Sequence, residues 1–224
     1  MTARLQVKAL VGHAARHALG LALLFAGAHH APTALLGALA LHLAAFAFTH
    51  DLAHGALGLP RRFNELALSL AALPMLVAGH GMRLMHLRHH ARPLDKDDLE
   101  GVGATVPLWR ALLGGPLNTA QYRVEAFRVA APQERNWLIA ETLAATLFTT
   151  VALLTHSLAG AAWVVVNVVM QLTAAVWASH LTHRPPAVLL AIARGLTWTR
   201  SAVIGSFLHH ERHHRLPSIP CGQL

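Results

Sequence analysis

Apolar residues run along this chain in long blocks, and the blocks come in pairs. From about Ala9 to Ala28 the sequence is rich in Ala and Leu, with His13, Arg16 and His17 in its first half. His29-His30-Ala31-Pro32 makes a short turn, and Pro32 suits the first turn of a following helix. Thr33 to about Gly55 is apolar through Phe48, apart from His42, and becomes polar at its far end. Trp137–Thr155 and Leu158–Ala178 repeat the arrangement across a short link, His156-Ser157. Each block approaches the ~20 residues that an α-helix needs to span a bilayer. The pattern therefore predicts two transmembrane hairpins, with spans at about 9–28, 33–55, 137–155 and 158–180.

The segments between and after the hairpins read differently. Leu59-Pro60-Arg61-Arg62 breaks the apolar pattern. Asn64 to His90 reads as one long or broken helix, bent at Gly79-His80-Gly81, that lies in the membrane interface or re-enters. Residues 91–135 form the one long polar stretch. In it, Asp95, Asp97, Asp98 and Glu100 make an acidic turn, read as a solvated loop. Val106–Leu113 and Leu117–Ala131 read as amphipathic surface helices. Pro185-Pro186 stops the last span, and a moderately apolar helix follows over 187–208. The predicted fold is a single all-α integral membrane domain over 1–224. It has four transmembrane helices in two hairpins, interfacial or re-entrant helices, and a cap formed by 56–136 and 181–224.

Composition agrees. The chain is 54% hydrophobic and 12% charged, about half the charge fraction of soluble domains, and its mean hydropathy is +0.45. No cleavable signal peptide is expected, because the first apolar run is too long and a second follows at once. The single cysteine, Cys221, excludes an internal disulfide and a thiolate-rich metal cluster. The net charge of +8 does not lie on an exposed stripe with aromatics, so no nucleic-acid partner is expected. All 18 Lys and Arg instead fall at the N-terminal end, within 61–135, or after 183, and neither hairpin turn carries one. By the positive-inside rule both termini and the middle segment face the cytoplasm.

Histidine supplies the candidate chemistry. There are 18, more than the 10 acidic residues. His50 and His54 are four apart; His86, His89 and His90 are spaced i, i+3, i+4; His210, His213 and His214 repeat that spacing. Residues three and four apart share one helix face, so each block can present its imidazoles to a common point. All three blocks fall on the predicted cytoplasmic side. One metal takes about four to six ligands, so these eight histidines suggest two metals. A bimetallic site at a membrane surface, with an apolar body behind it, suits iron and oxygen chemistry on a lipid-like substrate.

These residues resemble the membrane fatty acid desaturases and their hydroxylase and carotenoid ketolase relatives. His50-Asp51-Leu52-Ala53-His54-Gly55 resembles that family's first histidine box. The stretch from His80 to His90, with Arg83, resembles the second. His210-Glu211-Arg212-His213-His214-Arg215-Leu216-Pro217-Ser218-Ile219-Pro220 resembles the third, with its trailing prolines. The resemblance covers most of the chain and implies two iron ions, O2 as co-substrate, and a separate electron carrier (a ferredoxin, or a b-type cytochrome with its reductase). Its implied ligands are His50, His54, His86, His89, His90, His180, His210, His213 and His214, with His183 a further candidate. Asp51 is expected to orient a ligand ring from behind. The family's nearby Asn ligand is not matched, since Val176 stands there. The implied activity is oxidation of an unactivated C–H bond in a lipid, foremost desaturation of a fatty acyl chain, with hydroxylation or ketolation of a lipid, alkane or carotenoid as the alternative. The implied location is the bacterial inner membrane, with the active site on the cytoplasmic face.

Other residues read more plainly. His13, His17, His29, His30 and His156 read as structural or solvent-facing, His80 and Glu141 as interfacial, and His209 as a neighbour of the third block. His42 lies in mid-span, where a polar group has a partner. A metal or proton transporter would place ionisable residues along the span centres, which are bare apart from His42. A haem carrier would need paired histidines on facing spans.

Overall fold

In the computed structural model, residues 3–199 and 201–223 are described. Met1, Thr2, Arg200 and Leu224, which the predicted 1–224 domain includes, lie outside them. All regular structure among the described residues is helical.

Helices α1 (Ala3–Ala26) and α2 (Ala31–Ala53) form the first hairpin. Their close approach depends on glycine. A Cβ on Gly37 would lie 2.2 Å from the Leu24 amide nitrogen, and one on Gly27 would lie 2.2 Å from that of Ala34. Small residues thus set the packing distance, as they do between helices in lipid. α2 is the central helix: it packs against α1, α3, α4 and α8 and buries Ala38, Leu41, Ala45 and Leu52.

The predicted Asn64–His90 element is broken, as its glycines suggest. α3 (Arg61–Ala72) ends in a tight turn at Leu73–Met75, and α4 (Gly79–Ala91) leaves at 99°. Leu76 takes a left-handed conformation, φ 58°, at the corner. The freed carbonyls of the corner are bonded from α8 (Leu158–Leu172): Trp163 Nε1 donates to the Pro74 oxygen at 2.7 Å, and Gln171 Nε2 to that of Met75 at 2.8 Å. A short α5 (Val102–Thr105) precedes α6 (Leu108–Val129). The two amphipathic helices read from the sequence are this one helix, with Pro116 inside it.

α7 (Pro132–Leu154) and α8 make the second hairpin. The predicted fourth span, 158–180, is not one straight helix. After Leu172 the chain bends by 53° through a π-helical segment, Ala175–His180, into α9 (Leu181–His183). Then come α10 (Ala187–Gly195), α11 (Ala202–Leu208) and α12 (His210–Arg215). Three helices, α1, α2 and α7, are each long and apolar enough to cross a membrane, and up to five crossings result if each bent pair counts as one. Phe25, Leu36, Leu143 and Leu154 point outward, an apolar surface of the kind a bilayer covers.

Candidate metal centre

The three histidine blocks meet, and a fourth segment joins them. His50, His54, His86, His90 and His213 bring one ring nitrogen each within 4.8 Å of one another; His89, His183, His210 and His214 do the same. The triads are therefore split. His86 and His90, one turn apart on α4, serve the five-membered group, while His89 serves the other. On α12, His210 and His214 serve the four-membered group and His213 serves the first. Neighbouring residues on a helix diverge by about 100°, so His89 and His90 cannot aim at one point, nor can His213 and His214. The common point read for the second and third blocks is in fact two points, while His50 and His54 share one. The groups adjoin, with the His90 and His214 rings stacked 4.1 Å apart.

The spacing suits metal ligation. His54 Nε2 lies 2.9 Å from His86 Nε2, and His213 Nε2 lies 3.1 Å from His90 Nε2. In the other group, His210 Nε2 is 3.0 Å from His183 Nε2 and 3.1 Å from His214 Nε2. Imidazole nitrogens ~2.1 Å from one metal and at right angles around it sit ~3.0 Å apart. Protonation agrees as well. Burial and then the neighbouring rings push His210 and His213 far below the usual imidazole range. The same causes, burial first and then His89 and His183, lower His214 to about 4. A metal needs the neutral ring, and these rings are neutral at ordinary pH.

Carboxylates stand behind the rings. Glu100 Oε1 lies 2.5 Å from His86 Nδ1, and Asp98 Oδ2 lies 2.6 Å from His89 Nδ1. Such partners fix which ring nitrogen carries the proton and leave the other free for metal. Burial raises the Glu100 pKa. Burial works the same way on Asp98, but the His89 ring and the amides of Gly101 and Leu94 outweigh it and hold the carboxyl below its usual range. Sequence reading missed both, because the acidic turn looked solvated. Its one available signal was position, directly after the second block.

Asp51 approaches His50 Nδ1 only to 3.7 Å. Its short contacts are His13 Nε2 at 3.0 Å and the Cys221 amide, which donates to Oδ1 at 3.1 Å. His180 is in neither group; its Nδ1 lies 2.9 Å from the Gly103 carbonyl oxygen, whereas His183 lies in the four-membered group. Exposed His209 stays outside both. His80 bridges Glu141 and Glu65, at 2.6 and 2.7 Å, and stacks on Trp137. His42 has the partner its position required, with Nδ1 2.7 Å from Asn167 Oδ1.

A 520 Å³ cavity opens beside the centre, lined by Glu100 and Tyr122 near the rings and by His42, Phe46, Thr146 and Trp177 further along. Fold and site together define a class: an all-helical, membrane-type protein that gathers imidazoles from α2, α4, α9 and α12. The chain belongs to the fatty acid desaturase family, whose model matches residues 25–224. No curated protein and no solved structure matches it. Membership and the apolar helices make it a membrane-associated oxidoreductase of the lipid-oxidising kind.

Proposed function

We propose that the two histidine groups hold two iron ions and that the protein uses O2 to desaturate a fatty acyl chain. The observation that carries this reading is the pairing of a five-imidazole and a four-imidazole group beside a largely apolar cavity. Bound iron would supply the reduction of O2 and the oxidising power to take hydrogen from an unactivated carbon. The chain's own residues do the rest. His50, His54, His86, His90 and His213 would hold one ion, and His89, His183, His210 and His214 the other. Glu100 and Asp98 keep His86 and His89 in the ligating tautomer. The cavity holds the acyl chain with one carbon toward Glu100 and the rings, and its apolar walls exclude water. Thr142, Thr146, Thr149 and Thr150 give their hydroxyl protons to carbonyls one turn back in α7, so this wall offers the chain no free hydroxyl donor. Electrons come from a separate carrier, a ferredoxin or a b-type cytochrome with its reductase. The Lys and Arg distribution supports a cytoplasmic active site, and the bacterial inner membrane as its location is part of the same proposal.

The test is metal analysis and Mössbauer spectroscopy of iron-57-enriched protein in detergent, beside a His86→Ala, His213→Ala variant and lipid analysis of expressing cells. Two irons per chain, depleted in the variant, and new alkenes are expected. Zinc, or a single metal, overturns the reading; an alcohol product moves it to a hydroxylase.

A further inference from the structure

One buried side chain outside both histidine groups touches the rings from behind. Cys221 is 2% exposed. Its Sγ lies 3.3 Å from His50 Nδ1 and 3.9 Å from His213 Nδ1. The two rings come from the first and third blocks and belong to the same five-imidazole group. The sulfur is held in place by its surroundings. The Cys221 amide is fixed on Asp51 Oδ1 at 3.1 Å. Its carbonyl packs so tightly on Gly205 that a Cβ there would come within 2.1 Å. The side chain lies against Ala47 and Val203.

We infer that Cys221 is the shared hydrogen-bond acceptor behind His50 and His213, a positioning residue that keeps both Nδ1 atoms protonated and both Nε2 atoms free for metal. The inference rests on the metal site proposed above. A neutral imidazole carries one N–H, and the partner of one nitrogen decides the role of the other. If the thiol instead donated to either Nδ1, that ring's proton would move to Nε2 and its metal donor would vanish. The 3.1 Å approach of His213 Nε2 to His90 Nε2 inside the group shows which nitrogen faces inward. Glu100 and Asp98 perform the same task for His86 and His89, so the two groups differ: only the five-imidazole group has a sulfur behind it. A large, polarisable sulfur can meet two N–H groups at these distances, where a hydroxyl oxygen on its shorter bond reaches one. Asp51 thus acts on the site chiefly through Cys221, by fixing where the sulfur stands.

The test uses full-length protein loaded with iron-57, comparing wild type with Cys221→Ala, Cys221→Ser and Asp98→Asn. Mössbauer spectra read each iron separately, and transfer to a chelator gives the rate of loss. In Cys221→Ala one of the two iron signals should shift, and that iron should leave about 10–100-fold faster, the usual effect of removing an outer partner. The other signal should stay as in wild type. Cys221→Ser should restore part of the rate, and Asp98→Asn should disturb the opposite iron. Unchanged signals and rates in Cys221→Ala overturn the inference while leaving the two-iron site standing. Loss of both irons together with a lower melting temperature overturns it in favour of a folding role. A third metal that departs with Cys221 overturns it in favour of a thiolate ligand set with His50 and Asp51. A wild-type protein without two bound irons refutes the site reading itself, and this inference with it.

Discussion

Asn in place of Asp98 changes no shape but should weaken one of the two proposed metal groups. The Asp98 carboxylate accepts four N–H bonds. Oδ2 takes His89 Nδ1 at 2.6 Å and the Leu94 amide at 2.9 Å; Oδ1 takes the amides of Gly101 at 3.0 Å and Glu100 at 3.1 Å. An amide side chain turns one side of this arrangement into donors, so either orientation sets N–H against N–H. With its NH2 toward His89, the ring must present a lone pair at Nδ1 and carry its proton on Nε2, which withdraws it from the four-imidazole group. With the NH2 the other way, the amides of Glu100 and Gly101 lose their acceptor while Leu94 keeps its own, and the bond from His89 loses the charge assistance that makes such bonds worth about 1.5–3 kcal/mol. Either route agrees with the roughly 10–100-fold loss of metal affinity that follows removal of an outer partner, or about 1.4–2.8 kcal/mol at 1.4 kcal/mol per decade. Chelator titration should show one tightly held iron and one weakened by that factor. Exposed Asp95→Asn is the control and should titrate as wild type. Two irons of wild-type affinity in Asp98→Asn would refute the argument that this carboxylate sets the His89 tautomer.

Three further outcomes are expected. Gly37→Leu drives a side chain into the Leu24 amide, 2.2 Å from the ideal Cβ, and should cost about 1–3 kcal/mol or more; its melting temperature in detergent should drop, while Gly114→Ala, with nothing within 4 Å, should not move it. Thr146→Trp fills part of the 520 Å³ cavity; gas chromatography should show products shortened or lost at wild-type iron content, and unchanged chain lengths would remove the cavity from the reaction. The metal-free protein should lose stability as pH falls from about 6.5 to about 4, because His214 is held near the lower value when folded and titrates at the upper one when unfolded. The unfolded chain binds more protons in that window, so stability rises with pH there; His210 and His213, held lower still, add to the same slope, so His214→Gln should lessen it in thermal melts without abolishing it.

The paired apolar helices and the spacing of the eight block histidines were legible because both are local features, whereas the predicted helix over 187–208 is two, Ala187–Gly195 and Ala202–Leu208. What was illegible depends on where separate segments meet. The i, i+3, i+4 spacing fixes directions around one helix, but says nothing of how many points the neighbouring helices supply, so the division of His86 and His90 from His89 was hidden. Asp98 and Glu100 sit in the same acidic turn as exposed Asp95 and Asp97, and no local pattern tells which carboxylates fold back. That His183 lies in the four-membered group and His180 does not follows from the π-helical turn at 175–180 and its 53° bend, which no propensity reports. Gly114-Gly115-Pro116 read as a break, yet α6 continues because Gly115 lets its backbone press on the Leu172 carbonyl, where a Cβ would come within 2.0 Å. Cys221, alone of its type, carries no spacing signal.

The split triads also explain how so short a third block can belong to the site. α12 has six residues, too few to be stable as an isolated helix. It is fixed from both sides: His213 is 1% exposed among the first group's rings, His210 and His214 close the second group, and the following turn is tied to α2 through the Cys221 amide on Asp51. Two helices that each contribute to two separate points are restrained in rotation as well as in translation, which a single shared point would not achieve. α4 is already set by the corner that α8 braces, so α12 is the element with freedom to lose. If the two groups bind metal as proposed, that binding would be coupled to the ordering of α12, because three of the nine ring nitrogens lie on it.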